Sequence, residues 1–475
     1  MSTPAMALHA HVQGPIPETP GNSAVVLEPY GVDRLPSYDY IQEEYLVSGV
    51  AAGHDYATRI LVRRPADMSK FNGRALAEVS HIWGGTSVWR AYNRQLMRGG
   101  YMWVEIDSQS PSAMDLIKGA NPERYSDMKF IEGELARDFS ASVPFTENPT
   151  PDLLAQQYDE FKKRWWRATP QSFEIIAQVA SSLRDGLPGL PESAVRTLLF
   201  AGISQTGGVV RRFIEKHHNA RRRPDGGPVF DGYLPGASGG DALPDIDVPV
   251  IEVLGEAEFQ SVRWACGVSG QVRGLSHRRR DSFTFRLYEV AGMAHRETRH
   301  MSDRDKAKLR NCPLPPGAKW STFPNSHIYN ALLEMLADWS EGLRTPPPSK
   351  LLATVGDTDT IVRDEWGNAV GGLRTTYTDA PLSTLVAATP MGRPAWYQGH
   401  EIPLRLQKLL ETYSSPEEYR RLHAQIVDRM LTEGFLLPED AEELRRDAES
   451  VTFSHREDPL DGPRARHEPK HGSVA

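Results

Sequence analysis

Short apolar runs bounded by glycine recur along much of the chain. In YATRILVRRP, residues 56–65, apolar and polar residues alternate, which predicts a strand with one buried face. Two further runs, residues 74–80 and 101–106, lie next to glycines and are also predicted to be strands. The first part of the chain is therefore expected to contribute strands to a sheet.

A helical pattern and more buried strands follow. The stretch SFEIIAQVASSLRDG predicts an amphipathic helix that begins at Ser172 and ends at Gly186. Its apolar residues recur at intervals of one to three positions: Phe173, Ile176, Ala177, Ala180 and Leu183. The apolar run VRTLLFAGIS comes next, and VPVIEVLGE and FTFRLYEVAG come later. Strands that alternate with helices predict an α/β fold, with a mostly parallel sheet flanked by helices.

The same patterns divide the chain into a main domain and less regular ends. Residues 1–30 are rich in Pro, Gly and Ala and are expected to form a loose arm, and residues 31–450 the main domain. Within that domain, an aromatic and basic insertion at about residues 108–170 predicts a lid. Residues from about 350 to 450 predict a C-terminal helical extension, and the charged residues 451–475 are expected to be disordered.

Composition and charge exclude several classes of function. The net charge of −8 argues against nucleic-acid binding, and the arginine runs at residues 221–223 and 278–280 are interpreted as solvated loop faces. The only cysteines, Cys266 and Cys312, allow at most one disulfide. No secretory signal or membrane-spanning segment is recognisable, so we expect a cytoplasmic protein without a membrane partner. The chain could form a homo-oligomer.

The stretch GISQTGG, residues 202–208, has the pattern of a sharp turn between a strand and a helix. Such a turn can expose a serine hydroxyl, and small neighbouring residues permit its strained backbone. Ser204 is therefore a candidate nucleophile. Thr206 stands where the usual G-x-S-x-G motif has its second glycine, so a serine that merely caps a helix is the competing interpretation.

The polar residues that follow later strands favour the nucleophile. A serine nucleophile needs a base that accepts its proton, and the base needs an acid that orients it. The strand in DVPVIEVLGEAEF ends near Glu256 and Glu258, and FRLYEVAGMAH ends at His295. Serine, acid and histidine thus follow successive strands, in the order of a catalytic triad. Either glutamate could be the acid, and the other is expected to be a solvated surface carboxylate.

Backbone N–H groups must hold the negatively charged oxygen that forms when a serine attacks a carbonyl. Gln205, directly after the serine, is one candidate donor. The turn at Gly84 and Gly85, which follows a predicted strand, is placed to supply the other. A plain loop is the alternative interpretation of these two glycines.

The remaining histidines form no recognisable metal motif. His217, His218, His277 and His300 lie in polar, Arg-rich segments and are interpreted as surface residues. The chain has no HExxH motif and no cysteine cluster, and no glycine-rich segment has the spacing of a phosphate-binding loop. We therefore expect neither a metal nor a cofactor.

In these residues and in the stretches around them, the chain resembles the bacterial family of alpha/beta hydrolase domain-containing proteins. The resemblance covers about residues 40–450 and rests on stretches that include RILVRRPADMSKFNG, GISQTGG, FRLYEVAGMAH, DEWGNAVGGLR and ETYSSPEEYRRLHAQIVDRMLTEGFLLPEDA. It implies an α/β-hydrolase fold in which Ser204 is the nucleophile, His295 the base and one of the two glutamates the acid. The family tolerates serine or threonine before the glycine, which accounts for Thr206.

Two features depart from the family pattern. His81 stands where such proteins usually have asparagine after the strand. Residues 132–167 form a longer segment than is typical, which implies a distinct lid with Trp165 and Trp166 as pocket walls. Alternatively, these tryptophans pack the insertion onto the core. The candidate substrate contacts are thus His81, Trp83, Trp165 and Trp166.

The function expected from these observations is hydrolysis of a small-molecule carboxylic ester through an acyl-enzyme on Ser204. An acyltransferase, a lactone-forming enzyme or an amide-cleaving enzyme could use the same three residues. An inactive binding protein, in which Ser204 caps a helix, is the alternative from a different class. The unbroken order of serine, glutamate and histidine argues against the inactive protein.

Overall fold

A nine-stranded sheet forms the centre of the molecule. The computed structural model describes residues 5–6, 9–82, 84–131, 165–166, 169–191, 193–259, 275–301, 306–307, 309–310, 312–388 and 398–453. The strands of the sheet are β1 His11–Gln13, β2 Tyr40–Ala51, β3 His54–Pro65, β4 Arg74–Val79, β5 Met102–Ile106, β6 Thr197–Ile203, β7 Gly232–Gly236, β8 Val250–Gly255 and β9 Phe285–Val290.

The strands lie in the order β9-β8-β7-β6-β4-β5-β3-β2-β1. Strands β4 to β9 pair in parallel with their neighbours, whereas β3, β2 and β1 add an antiparallel edge next to β5. This arrangement confirms the predicted α/β fold with a mostly parallel sheet. Because the parallel strands all point the same way, the loops that follow β4, β6, β8 and β9 lie at one end of the sheet.

Helices cover both faces of the sheet. They include α1 Ser87–Arg98, α2 Ser172–Asp185, α3 Gln205–Lys216, α4 Asn325–Ser340, α5 Thr376–Asp379, α6 Leu406–Tyr413, α7 Pro416–Glu433 and α8 Pro438–Glu449. Successive residues of β6 enter opposite cores. Phe200 packs with α2 and α3, whereas Ala201 packs with α1 and α4.

Smaller elements complete the fold. Strands β10 Lys319–Trp320, β11 Ser383–Val386 and β12 His400–Pro403 form an antiparallel sheet in the order β10-β12-β11. Strand Ala5–Met6 pairs in parallel with Arg221–Arg222. The 3-10 helices are Val32–Tyr38 and Met68–Lys70, and Ser112–Lys118 is a π-helix. None of the described helices is long and apolar enough to cross a bilayer.

The segment after α4 shields the edge strand β9. The N–H of Glu289 donates to the carbonyl of Lys350 over 2.9 Å, and the N–H of Leu373 donates to the carbonyl of Glu289 over 2.7 Å. An uncovered edge strand would offer its backbone to other chains, so this cover closes one side of the sheet.

The predicted ends and insertion are described only in part. Most of the predicted lid lies outside the described residues, as does the predicted tail beyond residue 453. Within the predicted N-terminal arm, residues 11–13 form β1 and pair with β2.

Candidate active site

The turn between β6 and α3 holds Ser204 in a strained backbone conformation. All seven residues of β6 are buried, and the chain then reverses sharply at Ser204, whose φ is 64° and ψ is −123°. A positive φ is uncommon for residues other than glycine and persists only where the surroundings enforce it. Here the N–H of Ser204 donates to the carbonyl of Gly236, over 2.9 Å, at the end of the neighbouring strand β7.

Small residues and a threonine allow the backbone to make this sharp turn. A Cβ atom on Gly202 would lie 2.2 Å from the carbonyl oxygen of Thr206, and one on Gly207 would lie 2.5 Å from that of Gly236. Thr206 closes the turn, because its Oγ1 bonds both the N–H (2.9 Å) and the carbonyl (3.0 Å) of Ile203. Threonine at position 206 is therefore compatible with the turn, whereas the second glycine is required one residue later, at position 207.

The hydroxyl of Ser204 faces a histidine instead of capping the helix. Ser204 stands at the N-cap position of α3, but its side chain makes no capping hydrogen bond. Its Oγ lies 3.0 Å from Nε2 of His295. The interpretation of Ser204 as an ordinary capping serine therefore does not hold.

His295 lies between the serine and a buried carboxylate. Its Nδ1 is 2.7 Å from Oε1 of Glu258, and both side chains are buried. The second oxygen of Glu258 accepts the N–H of Gly255 over 2.6 Å, at the end of β8. The loop that carries the histidine is held from α4, where Nδ2 of Asn325 donates to the carbonyl of Ala294 over 2.7 Å. Serine, histidine and glutamate thus form one hydrogen-bonded series.

Glu256 has a different set of contacts. Its Oε2 accepts the N–H of Gly292 over 2.8 Å, and its Oε1 forms an ion pair with Arg363. Both Glu256 and Glu258 are fully buried, so the expectation that one of them would be a solvated surface carboxylate is wrong. The reason is that each carboxylate finds donors on chain segments that lie far away in sequence.

The loop after β4 approaches the turn from the other side. Gly84 and Gly85 both have positive φ, 92° and 89°. The N–H of Gly84 donates to the carbonyl of His81 over 2.7 Å, and the N–H of His81 donates to the carbonyl of Gly85 over 2.9 Å. The N–H of Gly84 is thus already engaged within the turn, which does not fit its predicted role as an oxyanion donor.

Gln205 connects this loop to the serine turn. As the first residue of α3, its N–H has no acceptor within the helix. Its side-chain Oε1 accepts the N–H of Ile82 over 3.1 Å, and its Nε2 donates to Gln109 over 2.9 Å. The side chain of Gln205 therefore positions the loop, while its backbone N–H lies next to the serine.

A cavity of about 280 Å³ opens at Ser204 and His295. Its lining also includes His81, Gly84, Gly85, Thr86, Asn325, Tyr329 and the charged residues Glu28, Arg90, Arg94, Arg296, Glu297 and His300. Burial, with a smaller contribution from the neighbouring guanidinium of Arg90, lowers the pKa of His81 to about 3. His81 is therefore neutral at physiological pH where it faces the cavity.

The family model of the alpha/beta hydrolase domain matches residues 12–446. The chain belongs to the alpha/beta hydrolase domain family. The resemblance and the α/β-hydrolase fold inferred from the sequence are therefore confirmed.

Two solved structures are similar to this α/β-hydrolase-fold chain at low sequence identity. A proposed dienelactone hydrolase from Klebsiella pneumoniae subsp. pneumoniae MGH 78578 is 15% identical, with 46% of this chain and 74% of that chain covered and a TM-score of 0.25. A proposed acetyl xylan esterase from Bacteroides fragilis NCTC 9343 is 11% identical, with 47% and 62% covered and a TM-score of 0.26. No curated protein matches the chain.

The tryptophans of the insertion do not line the cavity of this α/β-hydrolase-fold protein. Trp165 stacks on Trp166 with ring centroids 4.0 Å apart, and both pack in the core beside α2 and α3. Nε1 of Trp165 donates to Gln109 over 2.8 Å. The prediction of Trp165 and Trp166 as walls of this cavity is wrong, and they pack on the core instead. Trp83, the fourth predicted substrate contact, lies outside the described residues.

Sequence reasoning missed Gln109, which follows β5. Its Nε2 donates to the carbonyl of Ser80 over 2.8 Å, and its Oε1 accepts hydrogen bonds from Gln205 and Trp165. It thus joins the loop after β4, the serine turn and the insertion. Its position in the polar run DSQS, just after a parallel strand, is a signal that could have identified it.

The histidines predicted to be surface residues are mostly buried. His218 and His277 are fully buried, and His277 Nε2 bonds Glu289 over 2.7 Å. His217 is half-buried and stacks on an aromatic ring, while His300 lines the cavity. The surface prediction for these residues is wrong, because the Arg-rich segments fold inward to pair with acidic side chains.

One group of side chains has the composition of a metal site. The candidate ligand atoms of His300, His327 and Glu443 lie within 4.8 Å of one another. However, the carboxylate of Glu443 is already bound by Arg94 over 2.6 Å and by Arg299 over 2.7 Å. Two guanidinium groups beside the carboxylate oppose the entry of a divalent cation, so these contacts fit an ion-pair network better than a metal centre.

Proposed function

We propose that this α/β-hydrolase-fold protein is a serine esterase that cleaves a small-molecule carboxylic ester. The observation that carries the proposal is the series Ser204 Oγ to His295 Nε2, 3.0 Å, and His295 Nδ1 to Glu258 Oε1, 2.7 Å. Hydrogen-bond contact between nucleophile and base, and between base and acid, is the geometry that activates a serine.

In the first half of the reaction, Ser204 Oγ bonds to the ester carbonyl carbon and its proton passes to His295 Nε2. Glu258 stabilises the imidazolium that forms. The backbone N–H of Gln205, together with the backbone around Gly85, holds the oxyanion. The bond from the carbonyl carbon to the alcohol oxygen then breaks, and the alcohol leaves with the proton from His295.

In the second half, water attacks the acyl-enzyme while His295 accepts one of its protons. The bond between the acyl carbon and Ser204 breaks, the acid leaves, and the proton on His295 returns to Ser204. These steps use the side chains and backbone of the protein, the ester and one molecule of water. The cavity of about 280 Å³ is near the lower end of ligand-pocket volumes, which supports a small ester.

Replacement of the nucleophile tests the proposal. Ser204→Ala should lower kcat for 4-nitrophenyl acetate at least about 10³-fold, because the acyl-enzyme cannot form. Labelling with a fluorophosphonate probe should be lost in the same variant. Ser450→Ala, a substitution of an exposed serine, is the matched control and should keep both signals. If the native protein takes no label, or if Ser204→Ala retains full turnover, the proposed function is wrong.

A further inference from the structure

Arg296 directly follows the histidine of the site, and it lines the same cavity as Ser204. The side chain is half-buried. Within the part of the chain that the structure describes, its guanidinium has neither a hydrogen bond nor an ion pair. The other cavity arginines are paired. Arg90 donates to Glu28 over 2.8 Å, and Arg94 donates to Glu443 over 2.6 Å.

The acidic side chains at the cavity are neutralised by other partners. Three arginines and two glutamates line it. Glu28 is bound by Arg90, while Glu297 forms an ion pair with His300 and accepts the N–H of Ser326 over 2.6 Å. The surplus positive charge of the cavity is therefore concentrated at Arg296. A half-buried cation without a counter-charge attracts an anion strongly, because the surrounding protein screens less than water does.

Several buried polar atoms of the lining also have no hydrogen-bond partner among the described residues. They include Thr86 Oγ1, Asn93 Oδ1, Asn325 Oδ1 and the hydroxyl of Tyr329. Thr86 occupies the N-cap position of α1 but makes no capping bond with its side chain. Buried polar groups are usually satisfied, so these atoms indicate a cavity built to bind polar groups of a ligand.

From these observations we infer that the natural substrate is an ester that carries a free carboxylate, and that Arg296 binds this carboxylate. The inference rests on the proposed esterase function and specifies its substrate class. A guanidinium can bind a carboxylate through two parallel hydrogen bonds, which fixes its orientation as well as its position. Because Arg296 lines the same small cavity as Ser204 and His295, a carboxylate bound there would hold a small substrate with its ester bond within reach of Ser204.

Paired esters test the inference. Mono(4-nitrophenyl) succinate and its methyl ester differ only in whether the carboxyl of the acyl part is free. The pair 4-acetoxybenzoate and methyl 4-acetoxybenzoate places the carboxylate on the leaving group instead. For native protein, Arg296→Gln, Arg296→Lys and the control Arg421→Gln, the ratio of kcat/KM for the charged ester to that for the neutral ester is measured. Arg421 is an exposed arginine of α7.

Arg296→Gln should lower this ratio at least about tenfold for one of the two pairs, which also shows which part of the substrate carries the charge. Arg296→Lys keeps the charge without the second hydrogen bond and should give an intermediate ratio. Arg421→Gln should leave both ratios unchanged. If Arg296→Gln lowers charged and neutral esters equally, or changes neither, the inference is overturned.

A binding measurement separates this inference from the proposed function. Calorimetry with monomethyl succinate and the Ser204→Ala variant requires no turnover. Binding that weakens about tenfold or more when Arg296→Gln is added supports the carboxylate site even if the native protein hydrolyses none of the esters. Equal binding by both variants, or no binding by either, overturns the site whatever the esterase assay shows.

Discussion

Glu256 and Glu258 lie two residues apart after the same strand, and both are fully buried. Glu258 is hydrogen-bonded to His295 and so faces the candidate active site. Glu256 instead binds the backbone of Gly292 and the side chain of Arg363. In the proposed mechanism Glu258 orients the base, whereas the contacts of Glu256 join two distant chain segments.

The contrast shows that residue type and burial do not define a role. A buried carboxylate must have hydrogen-bond donors, because an unpaired buried charge is costly. Which donors it finds depends on the direction in which the backbone points the side chain. Glu256 and Glu258 diverge for this reason, and substitutions at the two positions should have different consequences.

The largest effect is expected from Glu258→Gln. The amide keeps the shape of the side chain but cannot stabilise the charged form of His295, so kcat for a neutral ester should fall on the order of 10³–10⁴-fold. Thermal unfolding should show a folded protein, which excludes a loss of structure as the cause. A variant with near-native kcat would remove Glu258 from the mechanism.

Glu256→Gln should lower the stability of the protein and leave kcat nearly unchanged. Loss of the ion pair with Arg363 leaves a partly buried guanidinium without its carboxylate, and we expect a loss of about 1–3 kcal/mol in the free energy of unfolding. Because Glu256 has no role in the proposed proton transfers, kcat should stay within about tenfold of the native value. Urea denaturation and the same ester assay measure both quantities. A loss of kcat as large as that of Glu258→Gln would erase the distinction between the two glutamates.

The three histidines that line the cavity also differ from one another in their surroundings. His295 has a carboxylate on Nδ1, whereas burial lowers the pKa of His81 and keeps it neutral. Burial opposes the charged form of His300 as well, but hydrogen bonds to Glu297 and Glu443 outweigh it and raise its pKa to about 9. The pKa values of His81 and His300 are thus shifted in opposite directions within one cavity.

His300→Gln should destabilise the protein in a pH-dependent way. The folded-state pKa of about 9 lies above the value of about 6.5 for an unfolded chain, so the charged histidine stabilises the fold below about pH 6.5. This contribution is lost as the pH rises through about 9. We expect the variant to lose about 2 kcal/mol relative to the native protein at pH 6, and much less at pH 9.5, in urea denaturation. Equal losses at both pH values would contradict a charged His300.

His81→Asn should change the pH dependence of stability in the opposite direction, and by a smaller amount. The folded-state pKa of about 3 lies below the unfolded value, so protonation of the unfolded chain destabilises the native protein as the pH falls below about 6.5. The variant lacks this group, so its stability relative to the native protein should rise by about 1 kcal/mol between pH 7.5 and pH 5. Parallel stability curves for the two proteins would show that His81 is not held neutral by its surroundings.

Much of the fold could be predicted from local patterns. The apolar runs located β4, β5, β6, β8 and β9, and the helical pattern located α2, because periodicity reports which side chains must be buried. The surface prediction for His218 and His277 was wrong, since their burial depends on acidic partners outside their own segments. The packing of Trp165 on the core could not be predicted from local patterns either, because its hydrogen bond with Gln109 joins residues 56 positions apart.

The sequence by itself determined the sheet, the sharp turn at Ser204 and the order of serine, glutamate and histidine, because these depend on apolar periodicity and on glycine at particular positions. Only the tertiary structure decided which glutamate meets His295, that the N–H of Gly84 is engaged within its own turn, and that Arg296 lines the cavity without an ion-pair partner among the described residues. These features depend on side-chain directions and on partners brought together by folding. Glu256 and Glu258 illustrate this, because a separation of two residues along the chain gives the two carboxylates entirely different partners.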